Sequence, residues 1–211
     1  MLHADYAQNE VRFLAKMAEE QNLMEAFERG VDVHRFVASN IFKKPESEVT
    51  SIERSYSKAA TFGLLYGKSV ASFAQEMMGG DLAGAKKFFA EFFAAFPGIK
   101  KFVDSQHAQV RKHGFVYTIF GDPIMINTEF YREDEVLRRA QNYPIQSSAS
   151  SLGAHAIYLL NESVAKHHIR AAPLGFCHDS CDWDIEIADL FDFIPLMHSS
   201  MVGYIKNSFG I

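Results

Sequence analysis

Only two cysteines, Cys177 and Cys181, occur in 211 residues. A single pair cannot supply the disulfide framework of a small secreted domain, and a reducing cytosol is the expected setting. No stretch approaches the roughly 18 consecutive apolar residues of a membrane span. The opening MLHADYAQNEVRF has no basic segment followed by an apolar one, so no secretory signal is legible there. Internal repeats, low-complexity tracts and flexible linkers are missing too. Positive charge is in deficit: 21 Lys and Arg against 26 Asp and Glu leave a net charge of −5. That excludes a uniformly basic nucleic-acid clamp.

What remains is a globular composition, 48% apolar and 22% charged, with ample length for a core. The charge is segregated. Asp179, Asp182, Asp184, Glu186, Asp189 and Asp192 fall between Ala171 and Pro195 with no Lys or Arg among them. The basic residues come earlier, in FKKP, AKKFF, IKKF, VRKHG and LRRA. An acidic end suits a cation and a basic middle suits phosphates, although a solvated face has the same composition.

Periodicity predicts a helix over residues 9 to 27, a break near Pro45 with Ser47 as a helix N-cap, and a helix over 50 to 66 ended by Gly67. Further helices are expected over 83 to 95, stopped at Pro97-Gly98, and then up to Gly114. FVYTIF reads as a strand turned by GDP. Residues 133 to 168 read as helix with a break near Pro144, PLGFCHDSCDWDIEI as a hairpin, and the last segment as helix. The expected class is α+β, mostly helical with one small antiparallel sheet.

The helix over 50 to 66 poses a question. RSYSKAATFGLLYG places Arg54, Lys58, Phe62 and Tyr66 four residues apart, two cations and then two aromatics along one tilted face. Such a face can hold successive phosphates of a triphosphate and then stack on a sugar and base. A surface helix with ion-paired cations and a half-buried aromatic pair would look alike. Two aspartates from distant segments add to the pattern. Asp5 ends a short apolar start, Asp179 sits at the tip of the hairpin, and two such carboxylates can bridge two Mg²⁺ ions for in-line phosphoryl transfer.

Taken in order, DYAQNE, DVH, RSYSKAATFGLLYG, QNYPIQ and CHDS resemble the polymerase core of family A DNA polymerases, the bacterial DNA polymerase I type. The first block is similar to motif A, with Ala7 for Ser and Asn9 for an apolar residue. The third matches motif B, Arg-x3-Lys-x3-Phe-x3-Tyr-Gly, at every defined position. The last resembles motif C, with Ser180 for Glu.

The resemblance implies template-directed DNA synthesis from dNTPs on primer–template DNA. It implies two Mg²⁺ ions held by Asp5, Asp179 and the Tyr6 carbonyl, with Asp5, Asp179 and Lys58 catalytic. Lys58 would neutralise the leaving pyrophosphate, and Arg54 and His34 would bind the β- and γ-phosphates. Phe62 and Tyr66 would shape the nucleotide pocket, and Glu10 would exclude a ribose 2′-hydroxyl. Arg138, Asn142, Gln146 and His178 would contact DNA, the first three in the minor groove. Without the family, His34 reads as a cap, and Asn142 and Gln146 as caps of a turn at Pro144. The implied organisation is palm over 1–36, fingers over 37–140 and palm again over 141–211. Cytoplasmic placement, in a bacterial or phage-infected cell, follows.

Two departures bear on chemistry. Ser180 removes a carboxylate beside the metals, and FGDPI stands where relatives often have Gly-Arg-Arg. Cys177, His178 and Cys181 do not have a usual zinc spacing. The thumb and first palm strands that the family carries before motif A are expected from a complementary N-terminal chain or domain. A non-catalytic fragment that binds nucleic acid or a partner is the rival reading, and a single-subunit RNA polymerase is a more distant one.

Overall fold

The computed structural model describes residues 1–177, 179–204 and 206. Its elements run β1 (Leu2–Asp5), α1 (Asn9–Met17), α2 (Gln21–Glu28), α3 (Val33–Phe42), a 3-10 turn (Glu46–Glu48), α4 (Ser51–Leu65), α5 (Val70–Met77), α6 (Leu82–Ala95), α7 (Pro97–His113), β2 (Phe115–Tyr117), β3 (Pro123–Met125), α8 (Glu133–Lys166), β4 (Ala171–Cys177), β5 (Ser180–Ile185), a second 3-10 turn (Ile187–Asp189), α9 (Leu190–His198) and a π turn (Ser199–Gly203). The class is α+β and mainly helical, as expected, but the described residues form two small antiparallel sheets rather than one. No helix among the described residues is long and apolar enough to cross a membrane.

Three local expectations are corrected. The helix expected over 9 to 27 is two helices. Glu19 takes a left-handed φ of 52°, and the Glu20 side chain turns inward to accept the Gly98 N–H at 2.9 Å. The cap of α4 is Thr50 rather than Ser47. Its hydroxyl accepts the Glu53 N–H while the Glu53 carboxylate accepts the Thr50 N–H, a reciprocal capping box. Finally, α8 runs unbroken through Pro144. A proline inside a helix costs about 3 kcal/mol. Burial of Val136, Ala140, Ile145, Ala149, Leu152, Ala156, Leu160 and Val164 along this helix outweighs it.

By contacts the chain forms two compact units, Met1–Asn9 with Ser147–Ile211, and Glu10–Gln146. The first unit holds a three-stranded antiparallel sheet in the order β1-β5-β4. β5 alternates, and its inward Cys181 and Trp183 are buried with Ala156, Leu160, Val164, Phe193 and Met201. Gly153 of α8 lies directly on β4: a Cβ there would stand 2.6 Å from the Phe176 ring. The Phe176 ring occupies the space that a side chain at position 153 would take.

The second unit is helical. Phe73 of α5 stacks on Phe88 of α6 at 5.4 Å and meets Phe89 edge-on at 5.1 Å. Phe92 and Phe96 continue the ring cluster. Each such buried ring contributes about 1.5–3 kcal/mol over exposure. Gly114 ends α7 with a φ of 76°, its N–H donating to the Val110 carbonyl at 2.8 Å. The short β2–β3 hairpin, which contains FGDPI, then packs Val116 and Ile126 on Val110, Val136 and Ala140. The Thr118 hydroxyl accepts the Phe120 and Asp122 N–H groups and so organises that turn.

Candidate active site

In the first unit, β1 ends on Asp5, whose register partner on β5 is Ser180. One step beyond the ladder, the Tyr6 N–H donates to the Asp179 carbonyl at 3.1 Å. The two aspartates are therefore held at adjacent strand ends by backbone pairing. The Tyr6 side chain packs against the core beneath, with its hydroxyl buried and unpartnered. Burial, and secondarily Cys181, push that phenol well above its ordinary pKa. Asp182 is engaged elsewhere, its carboxylate 2.8 Å from His3 Nδ1. Ser180 uses its hydroxyl to donate to the Cys177 carbonyl at 3.0 Å, closing the hairpin turn. The residue that replaces the motif C Glu thus serves the turn. His178 lies outside the described residues.

This donor set can be tested against Mg²⁺. Two carboxylates and a peptide carbonyl are hard oxygens of the kind Mg²⁺ takes, and that ion ordinarily keeps waters and substrate phosphates as its other ligands. Among the described residues there is no group of three or more His, Cys, Asp or Glu that could hold a metal ion. The donor types present suit such an ion, whose remaining ligands would come from outside the protein.

In the second unit, α4 buries small residues, Ser57, Ala60, Thr61 and Gly63, together with Leu65. Arg54, Lys58, Phe62 and Tyr66 are left on the half-buried and exposed side. The helix entrance is fixed by its capping box and by Lys44, 2.6 Å from Glu53. That contact, with the Thr50 N–H, holds the Glu53 carboxyl down to about 2. Arg35 of α3 adds hydrogen bonds to the Glu46 and Val49 carbonyls. Arg54 donates through Nε to Asp32 at 2.7 Å.

His34, 3% exposed, lies in the first turn of α3 with its ring 5.6 Å from Phe62. Burial pushes it down to about 4, with Asp32 working against the shift and Arg54 and Lys58 adding to it. Its Nδ1 is buried without a hydrogen-bond partner. Phe62 stacks on Tyr66 at 6.5 Å and 11°. The Tyr66 hydroxyl donates to Glu10 Oε2 at 2.7 Å, so four residues of the proposed nucleotide pocket form one connected set: His34, Phe62, Tyr66 and Glu10.

The C-terminal end of α4 is held by α8. Gln141 and Asn142 donate their side-chain N–H groups to the carbonyls of Leu64 and Leu65, both at 2.7 Å. Gln141 also meets His107 Nε2 at 3.1 Å. Asn142 is thus buried at the helix end, whereas Arg138 is exposed and Gln146 half-buried on α8. Gly67 follows with a φ of 65°, and a Cβ on it would stand 2.1 Å from Arg138 Cγ. Sequence reasoning missed Gln141 and Asp32. An Asp directly before the apolar period of α3 is a recognisable N-cap signal, but nothing in the local sequence marks Gln141.

Comparison with known proteins bears on the family of the chain. The family model for DNA polymerase family A matches residues 1–209. DNA polymerase I of Geobacillus stearothermophilus is 35% identical over 180 residues, 83% of this chain and 20% of the relative. DNA polymerase I of Rhizobium leguminosarum is 32% identical over 209 residues, 95% of this chain and 20% of the relative. Among solved structures, the POL domain of Pol1 from M. smegmatis, in complex with DNA primer-template and dNTP, is similar with a TM-score of 0.88 and 29% identity. That likeness covers 95% of this chain and 36% of the other. The chain spans about a fifth of the length of the curated relatives it matches. On this match, over almost every residue, the chain belongs to DNA polymerase family A.

Proposed function

We propose that the chain carries the nucleotidyl-transfer residues of a template-directed DNA polymerase. It would act on dNTPs and primer–template DNA together with thumb and upstream palm segments supplied by a longer chain or a partner. The observation that carries this reading is the backbone pairing of β1 with the β4–β5 turn, which sets Asp5 and Asp179 at adjacent strand ends. Asp5, Asp179 and the Tyr6 carbonyl would hold two Mg²⁺ ions, which when bound would make the primer 3′-hydroxyl more acidic and neutralise the triphosphate.

The chain's own groups do the rest. Lys58 meets the charge that grows on the leaving pyrophosphate, and Arg54 binds its non-bridging oxygens. His34, buried and neutral, has an imidazole nitrogen in want of a partner, which a phosphate hydroxyl or a bound water can supply. Phe62 and Tyr66 present ring faces to sugar and base, and Glu10 closes the space at the 2′ position. Arg138, Gln146 and His178 belong to the DNA side of the proposal. Asn142 enters it with its Nδ2 already committed to Leu65. Palm over 1–36 and 141–211, with fingers over 37–140, is the functional division this implies.

Primer extension tests the reading, run with the complementary polymerase portion present. Asp5→Asn or Asp179→Asn should lower incorporation by three orders of magnitude or more while primer–template binding holds, since each 1.4 kcal/mol of lost transition-state stabilisation is about tenfold. A mutant that keeps a tenth of the parental rate would sink the assignment and favour a non-catalytic binding role.

A further inference from the structure

Asp32 is tied to two of the proposed phosphate-binding residues at once. Its Oδ1 accepts the backbone N–H groups of His34 and Arg35, each at 3.1 Å, and its Oδ2 accepts Arg54 Nε at 2.7 Å. The first pair of bonds caps α3 and so fixes where the His34 side chain leaves the backbone. The third grips a guanidinium that belongs to a different helix, 22 residues on.

Which nitrogen it grips matters. A guanidinium offers two forked edges, and the Nη1/Nη2 edge can take two phosphate oxygens at once. By bonding Nε, Asp32 fixes the plane of the group without using that edge as its fork. An arginine side chain otherwise loses much rotamer freedom when it is ordered by a ligand. Preordering it moves that cost from binding to folding. The carboxylate suits the task. Burial works to raise it, but the Arg54 contact and the two N–H groups prevail and hold it below its ordinary range.

We propose that Asp32 is a positioning residue for the incoming triphosphate, presenting the Nη edge of Arg54 to the phosphates and seating His34 at the start of α3. It acts through Arg54 and does not touch the nucleotide. The proposal rests on the reading that Arg54 binds phosphate. The bland alternative is a helix cap with an incidental, partly exposed ion pair, which would contribute little.

Asn is as good an N-cap as Asp, so Asp32→Asn keeps the cap and removes the charge. Asp32→Ser is a second variant of the same kind. In single-nucleotide incorporation by the active assembly, both should raise the dNTP KM about tenfold, the scale of one charge-assisted hydrogen bond, with kcat within about twofold. The unfolding midpoint should not move. In an Arg54→Ala background, Asp32→Asn should change KM no further, because the two residues act as one unit. An unchanged KM in both Asp32 variants, or an effect that multiplies with Arg54→Ala, overturns the proposal. An Arg54→Ala enzyme with parental KM overturns the phosphate reading beneath it, a result that does not depend on Asp32 at all.

Discussion

The Tyr66 hydroxyl and Glu10 meet at 2.7 Å, so the carboxylate proposed to exclude a ribose 2′-hydroxyl is itself held by the last residue of the α4 stripe. Removing it should open the pocket on one side of the sugar only. Glu10→Ala is expected to raise ribonucleotide incorporation relative to deoxyribonucleotide. Phe62, stacked on the same tyrosine, is expected to govern the other side. In this family a Phe here goes with rejection of dideoxynucleotides, and Phe62→Tyr adds a hydroxyl that can replace the missing 3′-hydroxyl interaction. Discrimination against a substrate that lacks a needed hydroxyl can span several factors of ten. Dideoxy use should therefore rise by orders of magnitude, with ribonucleotide use nearly unchanged. Single-nucleotide incorporation with three sugar types measures both effects, and unchanged dideoxy discrimination in Phe62→Tyr would remove Phe62 from the sugar pocket. The stripe was legible because four side chains share one helix and one spacing. Asp32 was not, because its partner Arg54 is brought to it only by the folding of α3 against α4.

At the scale of elements, α4 shows what local sequence can and cannot announce. Its Thr-x-x-Glu start is a capping box in plain view, but Pro45 drew the expected cap to Ser47, which lies inside the 3-10 turn over Glu46–Glu48 that precedes the helix. Its end is different. The Leu65 carbonyl accepts an amide 77 residues away, and the Leu64 carbonyl accepts another beside its local bond from the Gly67 N–H, a pairing that no window of sequence contains. Distance in sequence also explains the error at Pro144: a proline reads as a break, whereas α8 packs Val136 and Ala140 on Val110, Val116 and Ile126, and Ala156, Leu160 and Val164 on Cys181, Trp183 and Phe193, partners outside any local window. The hairpin of β4 and β5 was legible, since its alternation and its turn are local. Asn142→Ala should leave the Leu65 carbonyl buried and unpaired, at a cost of about 1–3 kcal/mol. Denaturant unfolding measures this. A loss under about half a kcal/mol would mean that α4 ends without help from α8.

At the scale of the molecule, stability should depend on pH through His34. Its pKa in the folded chain is about 4 against an ordinary 6.5. Above pH 6.5 both states hold it neutral, and it contributes no slope. As the pH falls from 6.5 towards 4, the unfolded chain takes up a proton that the folded chain refuses, so stability is lost across that window and the loss is complete below it. The total is on the order of 3 kcal/mol at 1.36 kcal/mol per unit. Burial also lowers His107, which adds to the loss in the same direction. Unfolding midpoints between pH 7.5 and 4.5 should fall more steeply in the parent than in His34→Gln, and parallel curves would count against a neutral, buried His34. The contact of Gly153 with Phe176 bears on how this protein can vary over time. In most helices a Gly→Ala change is a gain of about 1 kcal/mol. Here the added methyl would collide with the ring on the strand that leads to Asp179, so the change should be harmful until position 176 has first become smaller. Gly153→Ala should be destabilising alone and tolerated with Phe176→Val. The two positions are thus coupled, and the helix gains from its better residue only where the hairpin ring has turned aside or been given up.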